Sequence, residues 1–382
     1  MATPTRRANG EGSRPVQRKD GRWQILIRHT DTDDVRKRVT VTGRTAKETR
    51  QKAEEVRARL KKELPARDTR QVVDQYAETW IKTTLANSDR KTSTKTMYAA
   101  VARHHIIGSH LGATPMHRVR PSAVDGWLAE LRRKGLSDST RRNAYTILRA
   151  VFDAAVKDRE LADNPVAAIT RPRVEVKEAE YLTPGQVKLL LEASRDTRYG
   201  LLFELLVNTG LRRGEALALK WRAHVKQDEG WLKVRGTLTR EDGELVTTST
   251  KTAKSRRDVP ITERTAAILQ QLRARQAAER DRAGSQWNET GYVFTTAFGE
   301  PCDPRNALRA LKVAADQAGL PSIGLHTLRH SAASTMLANG VPLKVVSEIL
   351  GHSSISITGD IYGHVSPDIS VAAMQVLSDA LR

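Results

Sequence analysis

Residues 209–215 read Thr-Gly-Leu-Arg-Arg-Gly-Glu, a sequence that ends one helix and begins another. Glycine follows the first helix, and the first turn of the next one carries Arg212 and Glu215. A helix N-terminus presents free backbone N–H groups, and a guanidinium beside them can bind two oxygens of one phosphate. An Arg–Glu pair capping a surface helix explains the same residues. Taken alone, this segment is therefore weak evidence for a phosphate site.

The sequence around it predicts an α+β domain from residue 181 to residue 382. Thr183-Pro184-Gly185-Gln186 combines an N-cap, a first-turn proline and a glutamine that can close a capping box. Between residues 231 and 261 the pattern becomes that of strands, with a hairpin turn at Asp242-Gly243. One more short strand is predicted at 292–295. The expected fold is mostly α-helical with a small antiparallel sheet.

Other segments of this domain carry side chains suited to phosphate chemistry. A basic turn at 250–257 contains Lys251, Lys254 and Arg256, although a basic surface loop is an equally good interpretation. A lone tyrosine is more often a half-buried core residue than a catalyst. The remaining candidates are His326 and Arg329 on one helix face, His352 after the end of a predicted helix, and Tyr362 ten residues later.

His326 and His330 are four residues apart, which is a spacing that zinc-binding helices use. The HExxH pattern is absent and no third ligand is evident in the sequence. We therefore expect no metal in this domain. We also expect no ATP, because the chain contains no phosphate-cradling GxxxxGK[ST] loop.

Charge indicates a polyanionic partner. The 382 residues include 64 Lys and Arg against 44 Asp and Glu, which gives a net charge of +20 and an isoelectric point of about 10.3. Nucleic acid is the leading candidate. The single cysteine, Cys302, excludes an intrachain disulfide. No run approaches the ~18 apolar residues of a membrane span, so we expect a soluble cytoplasmic protein.

Half of the net charge lies in residues 1–70, which contain 20 Lys and Arg against 10 Asp and Glu. Alternating apolar residues and a predicted helix after Thr45 indicate a small α+β module over residues 1–64. Residues 70–170 have the periodicity of about four amphipathic helices, which predicts an all-α domain. The module's candidate DNA-binding residues are Arg22, Trp23, Arg36, Lys37 and Arg38.

Together these side chains are sufficient for phosphodiester cleavage without a metal. Arginines can neutralise the non-bridging oxygens of the transition state. A tyrosine, with an ordinary pKa of about 10, can attack once positive neighbours favour its ionised form. A lysine can protonate the departing oxygen. The covalent phosphotyrosine conserves the energy of the broken bond, so no cofactor is needed.

In order and spacing the motifs resemble those of the tyrosine recombinases, in particular the integrases of phages and integrative elements. The matching motifs are Thr-Gly-Leu-Arg-x-Gly-Glu, Lys-Thr-x-x-Ser-x-Arg, His-x-x-Arg-His, Leu-Gly-His and Asp-x-Tyr-x-His-Val. The resemblance is strong from about residue 181. It extends to a core-binding domain at 70–170 and more weakly to an arm-type DNA-binding module at 1–64.

The resemblance assigns a role to each matching residue. It implies that Arg212 and Arg329 clamp the phosphate, that Lys251 is the general acid and that Tyr362 is the nucleophile. The histidines His326 and His352 would assist proton transfer and bind the phosphate. Glu215 would orient the site, and Lys254 and Arg256 would contact DNA.

The resemblance also implies partners. These are double-stranded DNA with core and arm sites and three further copies of the chain in a tetramer, and they can include an excisionase and a DNA-bending host factor. The implied location is the cytoplasm, in association with the nucleoid. Two alternatives remain, a type IB topoisomerase-like relaxase and a DNA-binding regulator without catalysis, although the regulator should have lost Tyr362 or an arginine.

Overall fold

The computed structural model describes residues 12–30, 36–62, 64–66, 70–175, 180–241, 243–249 and 255–352, with positions 354, 355, 359, 374, 375, 378, 379 and 381. The chain divides into two compact units, Met1–Val176 and Lys177–Arg382. Four residues named above lie outside the described residues. They are Asp242, Lys251, Lys254 and Tyr362.

The first unit begins with a three-stranded antiparallel sheet packed on a helix. The strands are β1 Val16–Gln17, β2 Trp23–Thr30 and β3 Arg36–Gly43, in that order, and the helix is α1 Ala46–Lys61. Alternate residues of a strand face the same side, so Ile25, Ile27 and Val41 all pack against Ala53 of α1. Thr45 caps α1, accepting a hydrogen bond from the Glu48 backbone N–H at 3.1 Å.

The remaining described residues of the first unit are mostly helical. Four α-helices occur there: α2 Val73–Trp80, extended by a π-helical turn at Ile81–Leu85, α3 Thr92–His105, α4 Pro121–Arg133 and α5 Asp138–Lys157. Their apolar faces form one core that includes the fully buried Tyr145 and Phe152. The prediction of about four amphipathic helices is confirmed.

The second unit contains the other elements. They are α6 Pro184–Ser194, α7 Gly200–Thr209, α8 Arg213–Leu217, α9 Trp221–His224, β4 Val225–Lys226, β5 Trp231–Val234, β6 Gly236–Glu241, β7 Glu244–Ser249, β8 Arg257–Pro260, α10 Glu263–Ala283, α11 Pro304–Gln317, α12 Leu325–Ala338 and α13 Leu343–Leu350. The capping box that opens α6 is confirmed, because Thr183 and Gln186 exchange two hydrogen bonds. The apolar α7 lies in the middle of the core.

The described strands of this unit form two small antiparallel sheets, β4-β5-β8 and the hairpin β6-β7. The strand predicted at 292–295 is wrong. Tyr292 and Thr295 form isolated bridges with Lys220 and Pro301. The two residues between them, Val293 and Phe294, are both buried, and consecutive buried residues break the alternation that a strand on one sheet face requires. In the described part of the chain no helix is long and apolar enough to cross a membrane.

Candidate active site

Two glycines allow α7, α8 and β6 to meet closely. Gly210 ends α7 with φ +63°, in the left-handed region that favours glycine, and the chain then turns into α8. Gly214 lies in the first turn of α8 against β6. A Cβ atom there would lie 2.2 Å from Thr237 Oγ1 and 3.0 Å from the Leu238 carbonyl oxygen. This contact fixes where α8 begins and therefore where Arg212, its N-cap residue, lies.

Three arginine side chains converge on the last turn of α13. Arg257 Nε donates to the Ile349 carbonyl at 2.5 Å, Arg329 Nη2 to the Leu350 carbonyl at 2.7 Å, and Arg212 Nη2 to the Gly351 carbonyl at 3.1 Å. Gly351 has φ +66° and closes the helix. The final carbonyls of a helix are unpaired and carry partial negative charge, so they are favourable partners for guanidinium groups.

Glu215 is the carboxylate of this cluster and is 3% exposed. Its Oε2 accepts from the Arg212 backbone N–H and from Arg257 Nη2, each at 2.9 Å. Its Oε1 accepts from Arg212 Nη1 at 2.8 Å and from Arg257 Nη1 at 3.2 Å. Burial alone would raise the pKa of Glu215, but the hydrogen bonds and charges of Arg257 and Arg212 outweigh it and hold the pKa below its ordinary value.

Arg329 is 3% exposed and joins two helix ends. Its Nη1 donates to the Gly210 carbonyl after α7 at 2.7 Å, while Nη2 binds the end of α13. Backbone carbonyls orient a guanidinium without neutralising it. Among the described residues, the carboxylate of this cluster is Glu215, which pairs with Arg212 and Arg257. The described side chains of this cluster carry an excess of positive charge, which suits a phosphate.

The histidines beside the arginines are neutral at pH 7. Burial, with the charges of Arg329 and Arg212, lowers the pKa of His352 to about 4. Burial and the same two arginines also lower the pKa of His326. His330 has a pKa of about 4, caused by burial and by its neighbours His326 and Arg329. Neutral imidazoles can donate or accept hydrogen bonds, and a bound anion would raise their pKa values.

The structure brings together five of the predicted catalytic and orienting residues: Arg212, Glu215, His326, Arg329 and His352. The partners of Lys251, Lys254 and Tyr362 are not described, and Arg256 is exposed. Arg257 is the last residue of the Lys-Thr-x-x-Ser-x-Arg motif, but the sequence analysis gave it no role and chose its neighbour Arg256 instead. The signal was present, since Arg257 lies two residues before Val259, a buried apolar residue of the same short strand, and so shares its inward direction.

The predicted DNA-binding residues of the N-terminal module lie on both sides of the sheet. In the β2–β3 register Arg28 faces Arg38 and Thr30 faces Arg36, on the side turned away from α1. Trp23 and Lys37 alternate with them and belong to the side of Ile25 and Ile27. Arg22 precedes β2, and its N–H donates to Asp20 Oδ1 at 3.1 Å. Arg28 was missed, although it lies one residue after the buried Ile27, in a strand in which Ile25 and Ile27 point inward, and this alternation predicts an outward direction.

A cavity of about 720 Å³ lies elsewhere in the second unit. Three cation–aromatic pairs line it: Lys220 over Tyr292, Arg273 over Trp221 and Arg280 over Trp287. None of the predicted site residues in the described ranges lines this cavity, so cavity size does not locate the arginine cluster. Within those ranges no group of three or more His, Cys, Asp or Glu side chains could hold a metal ion.

Comparison with known proteins identifies relatives over most of the chain. Residues 180–368 match the phage integrase family. A tyrosine recombinase XerC-like protein of Caldanaerobacter subterraneus subsp. tengcongensis is 32% identical over 356 residues, covering 88% of this chain and 90% of the relative. An integrase of Streptomyces ambofaciens is 29% identical over 390 residues, covering 97% and 96%.

Solved integrase structures share the fold. The Tn1549 transposon integrase in complex with transposon right end DNA superposes with a TM-score of 0.65 at 22% identity, over 80% of this chain and 99% of that one. A lambda integrase from a tetramer bound to a Holliday junction gives a TM-score of 0.59 at 18% identity, over 95% of this chain and 98% of that one.

Proposed function

Because the chain belongs to the phage integrase family of tyrosine recombinases, we propose that it is the site-specific integrase of a mobile element. It cleaves and rejoins DNA through a 3′-phosphotyrosyl intermediate and exchanges strands through a Holliday junction. The observation that carries this proposal is the cluster at the end of α13, where Arg212, Arg257 and Arg329 meet and the first two also pair with the buried Glu215.

In the proposed cleavage step the Tyr362 oxygen attacks the scissile phosphorus, its proton passes to the neutral imidazole of His326, and the bond to the 5′ oxygen breaks. Lys251 gives a proton to that leaving oxygen. Arg212, whose side chain is 32% exposed, contacts the non-bridging oxygens directly, and the buried Arg329 adds positive charge from beneath. The reverse attack by a 5′ hydroxyl releases the tyrosine and restores the phosphodiester, so the reaction needs no cofactor.

His352 and His326 complete the proposed phosphate site. Both are neutral in the free protein because burial and the arginines lower their pKa values. A phosphate dianion-like transition state would favour their protonated forms, which suits a role in hydrogen bonding and proton transfer. Glu215 holds Arg212 at two points, through its backbone N–H and its Nη1, and so fixes the direction of the guanidinium.

We further propose a division of labour along the chain. Residues 1–64 bind arm sites through the sheet face that carries Arg28, Arg36 and Arg38. Residues 70–170 bind the core site, and residues 181–382 cleave it, with Lys254 and Arg256 contacting the backbone. The working assembly is a tetramer on double-stranded DNA, in the cytoplasm with the nucleoid, and an excisionase and a DNA-bending host factor are its proposed accessory partners.

A nicked duplex tests the reaction class. Footprinting on DNA flanking the gene defines the core site, and a nick near the cut then lets the short cleaved strand diffuse away. The expected result is a covalent protein–DNA complex with the wild type and none with Tyr362→Phe. Absence of the complex would favour the non-catalytic regulator. Ligation of the trapped strand to a second duplex supports a recombinase, whereas relaxation of supercoiled DNA without exchange would favour the topoisomerase-like alternative.

A further inference from the structure

Arg257 is a buried arginine to which the proposed reaction assigns no role. It is the first residue of β8, and its side chain is 7% exposed. Both of its Nη atoms donate to Glu215, Nε donates to the Ile349 carbonyl at 2.5 Å, and Nη1 also lies 3.4 Å from the Ser255 carbonyl. Its side chain packs against Gly351, where a Cβ atom would approach it to 2.9 Å.

These contacts link three segments that the proposed reaction uses. Glu215 belongs to α8 and holds Arg212. Ile349 belongs to the last turn of α13, three residues before His352. The chain that precedes Arg257 contains Lys251. A guanidinium can satisfy this arrangement because it offers a planar fork to the carboxylate and a separate Nε donor to the carbonyl, whereas a lysine ammonium is a single point of charge.

We infer that Arg257 is a positioning residue that holds Arg212 in the geometry needed to bind the scissile phosphate. This inference rests on the proposed function. Arg257 shares the charge of Glu215, so Arg212 is not the sole partner of a buried carboxylate. Without Arg257, Glu215 would bind Arg212 more strongly, and the last turn of α13 would lose one of its three guanidinium contacts. Both effects move Arg212 away from the phosphate.

The alternative is that Arg257 acts on the lysine that follows β7 in the chain. The two roles differ in how the enzyme responds to the leaving group. If the bridging 5′ oxygen is replaced by sulfur, the P–S bond breaks with its electron pair on sulfur, and the thiolate leaves without a proton. A variant defective in the general acid regains cleavage on such DNA. A variant defective in binding the phosphate oxygens does not.

The experiment measures single-turnover cleavage of the nicked core site, with oxygen and with sulfur at the 5′ position. We expect Arg257→Met to cleave both substrates about 10²-fold more slowly than the wild type, which is the scale of a small misplacement of a catalytic group. Arg257→Lys should recover part of the rate. Arg264→Met, which removes an exposed ion-paired arginine of α10, is the matched control and should cleave at the wild-type rate.

Glu215→Gln and the double variant test whether Arg257 acts through Glu215. Residues that act as one unit give non-additive losses. The double variant, Glu215→Gln with Arg257→Met, should therefore cleave no more slowly than the slower single variant. Because it removes the buried carboxylate together with its partner, its melting temperature should lie closer to that of the wild type than that of Arg257→Met does.

Three results would overturn the inference: recovery of Arg257→Met on the sulfur substrate, wild-type rates in that variant, or additive losses in the double variant. If Arg257→Met fails to fold, the comparison of Glu215→Gln with the double variant still decides, because equal rates support the inference and a further loss contradicts it. Failure of the wild type to form any covalent complex would instead refute the proposed function.

Discussion

Glu215→Gln should destabilise the second unit strongly, because the carboxylate accepts four hydrogen bonds from two arginines while nearly excluded from water. The glutamine side chain has almost the same shape, but its NH₂ group would face two N–H donors. Two hydrogen bonds to charged groups are then lost, at roughly 1.5–3 kcal/mol each. Removing one member of a buried ion pair costs about 3–5 kcal/mol, so both routes give about the same value.

Urea unfolding at pH 7, followed by the fluorescence of this unit's tryptophans, measures the loss. In thermal unfolding, a loss of about 3–5 kcal/mol in the free energy of unfolding corresponds to a fall in Tm of roughly 6–20 °C for a unit of this size. Glu192→Gln is the matched control, because Glu192 forms an ion pair with Arg195 in which both side chains are more than 60% exposed. Such surface pairs contribute about 0–1 kcal/mol. A Glu215→Gln loss no larger than that of Glu192→Gln would refute the reasoning.

The same variant should change the acid limb of the stability profile. The pKa of Glu215 lies below its ordinary value of 4.5 in the folded protein, so the folded state binds fewer protons than the unfolded state in acid. The stabilisation is therefore complete above about pH 4.5 and is lost as the pH falls through the lowered pKa. The difference between wild type and Glu215→Gln should shrink in that window. A difference that stays constant from pH 7 to pH 3 would contradict the assignment.

Three further predictions concern the packing and the proposed DNA contacts. Gly214→Ala should cost about 1–3 kcal/mol in thermal unfolding, because its Cβ would collide with Thr237 Oγ1, and Thr237→Ala in the same chain should restore part of the loss. Because a phosphate should raise the pKa of His352 from about 4, the affinity of the wild type for core DNA, measured by anisotropy at constant ionic strength, should rise from pH 7 to pH 5 more than that of His352→Asn. Arg28→Ala should weaken arm-site binding and reduce the salt slope by about 1, whereas Lys47→Ala on the exposed face of α1 should leave both unchanged.

Elements with strong local signals could be predicted from the sequence. The capping box at Thr183, the hairpin β6–β7 and the helices of residues 70–170 each depend on neighbours in the chain, and local periodicity or turn chemistry is enough to find them. The strand expected at 292–295 failed for a physical reason. Two apolar residues in succession there turn into the core, and tertiary burial outweighs the strand preference of the segment.

The site could be predicted only in its parts. Motif spacing identified Arg212, Glu215 and Arg329, because each belongs to a local pattern at the start of a helix. The role of Arg257 could not be found in this way, since its partners are 42 and 92 residues away in the chain. The sequence also could not show that the three arginines meet at the end of α13. The groups that accept their hydrogen bonds there are backbone carbonyls, which every residue has.

That use of carbonyls explains how a cluster of buried arginines can be stable and still attract an anion. A carboxylate for each guanidinium would satisfy the arginines and leave no net charge, and a phosphate would then have to displace a partner in order to bind. Helix-end carbonyls supply hydrogen bonds and an aligned dipole without a full negative charge. Within the residues that the structure describes, one carboxylate, Glu215, accompanies three arginines that are fixed in place before DNA binds, and a phosphate would add negative charge to this site. Little reorganisation is then left for the moment at which charge develops on the phosphate oxygens, which is the condition under which electrostatic stabilisation of a transition state is largest.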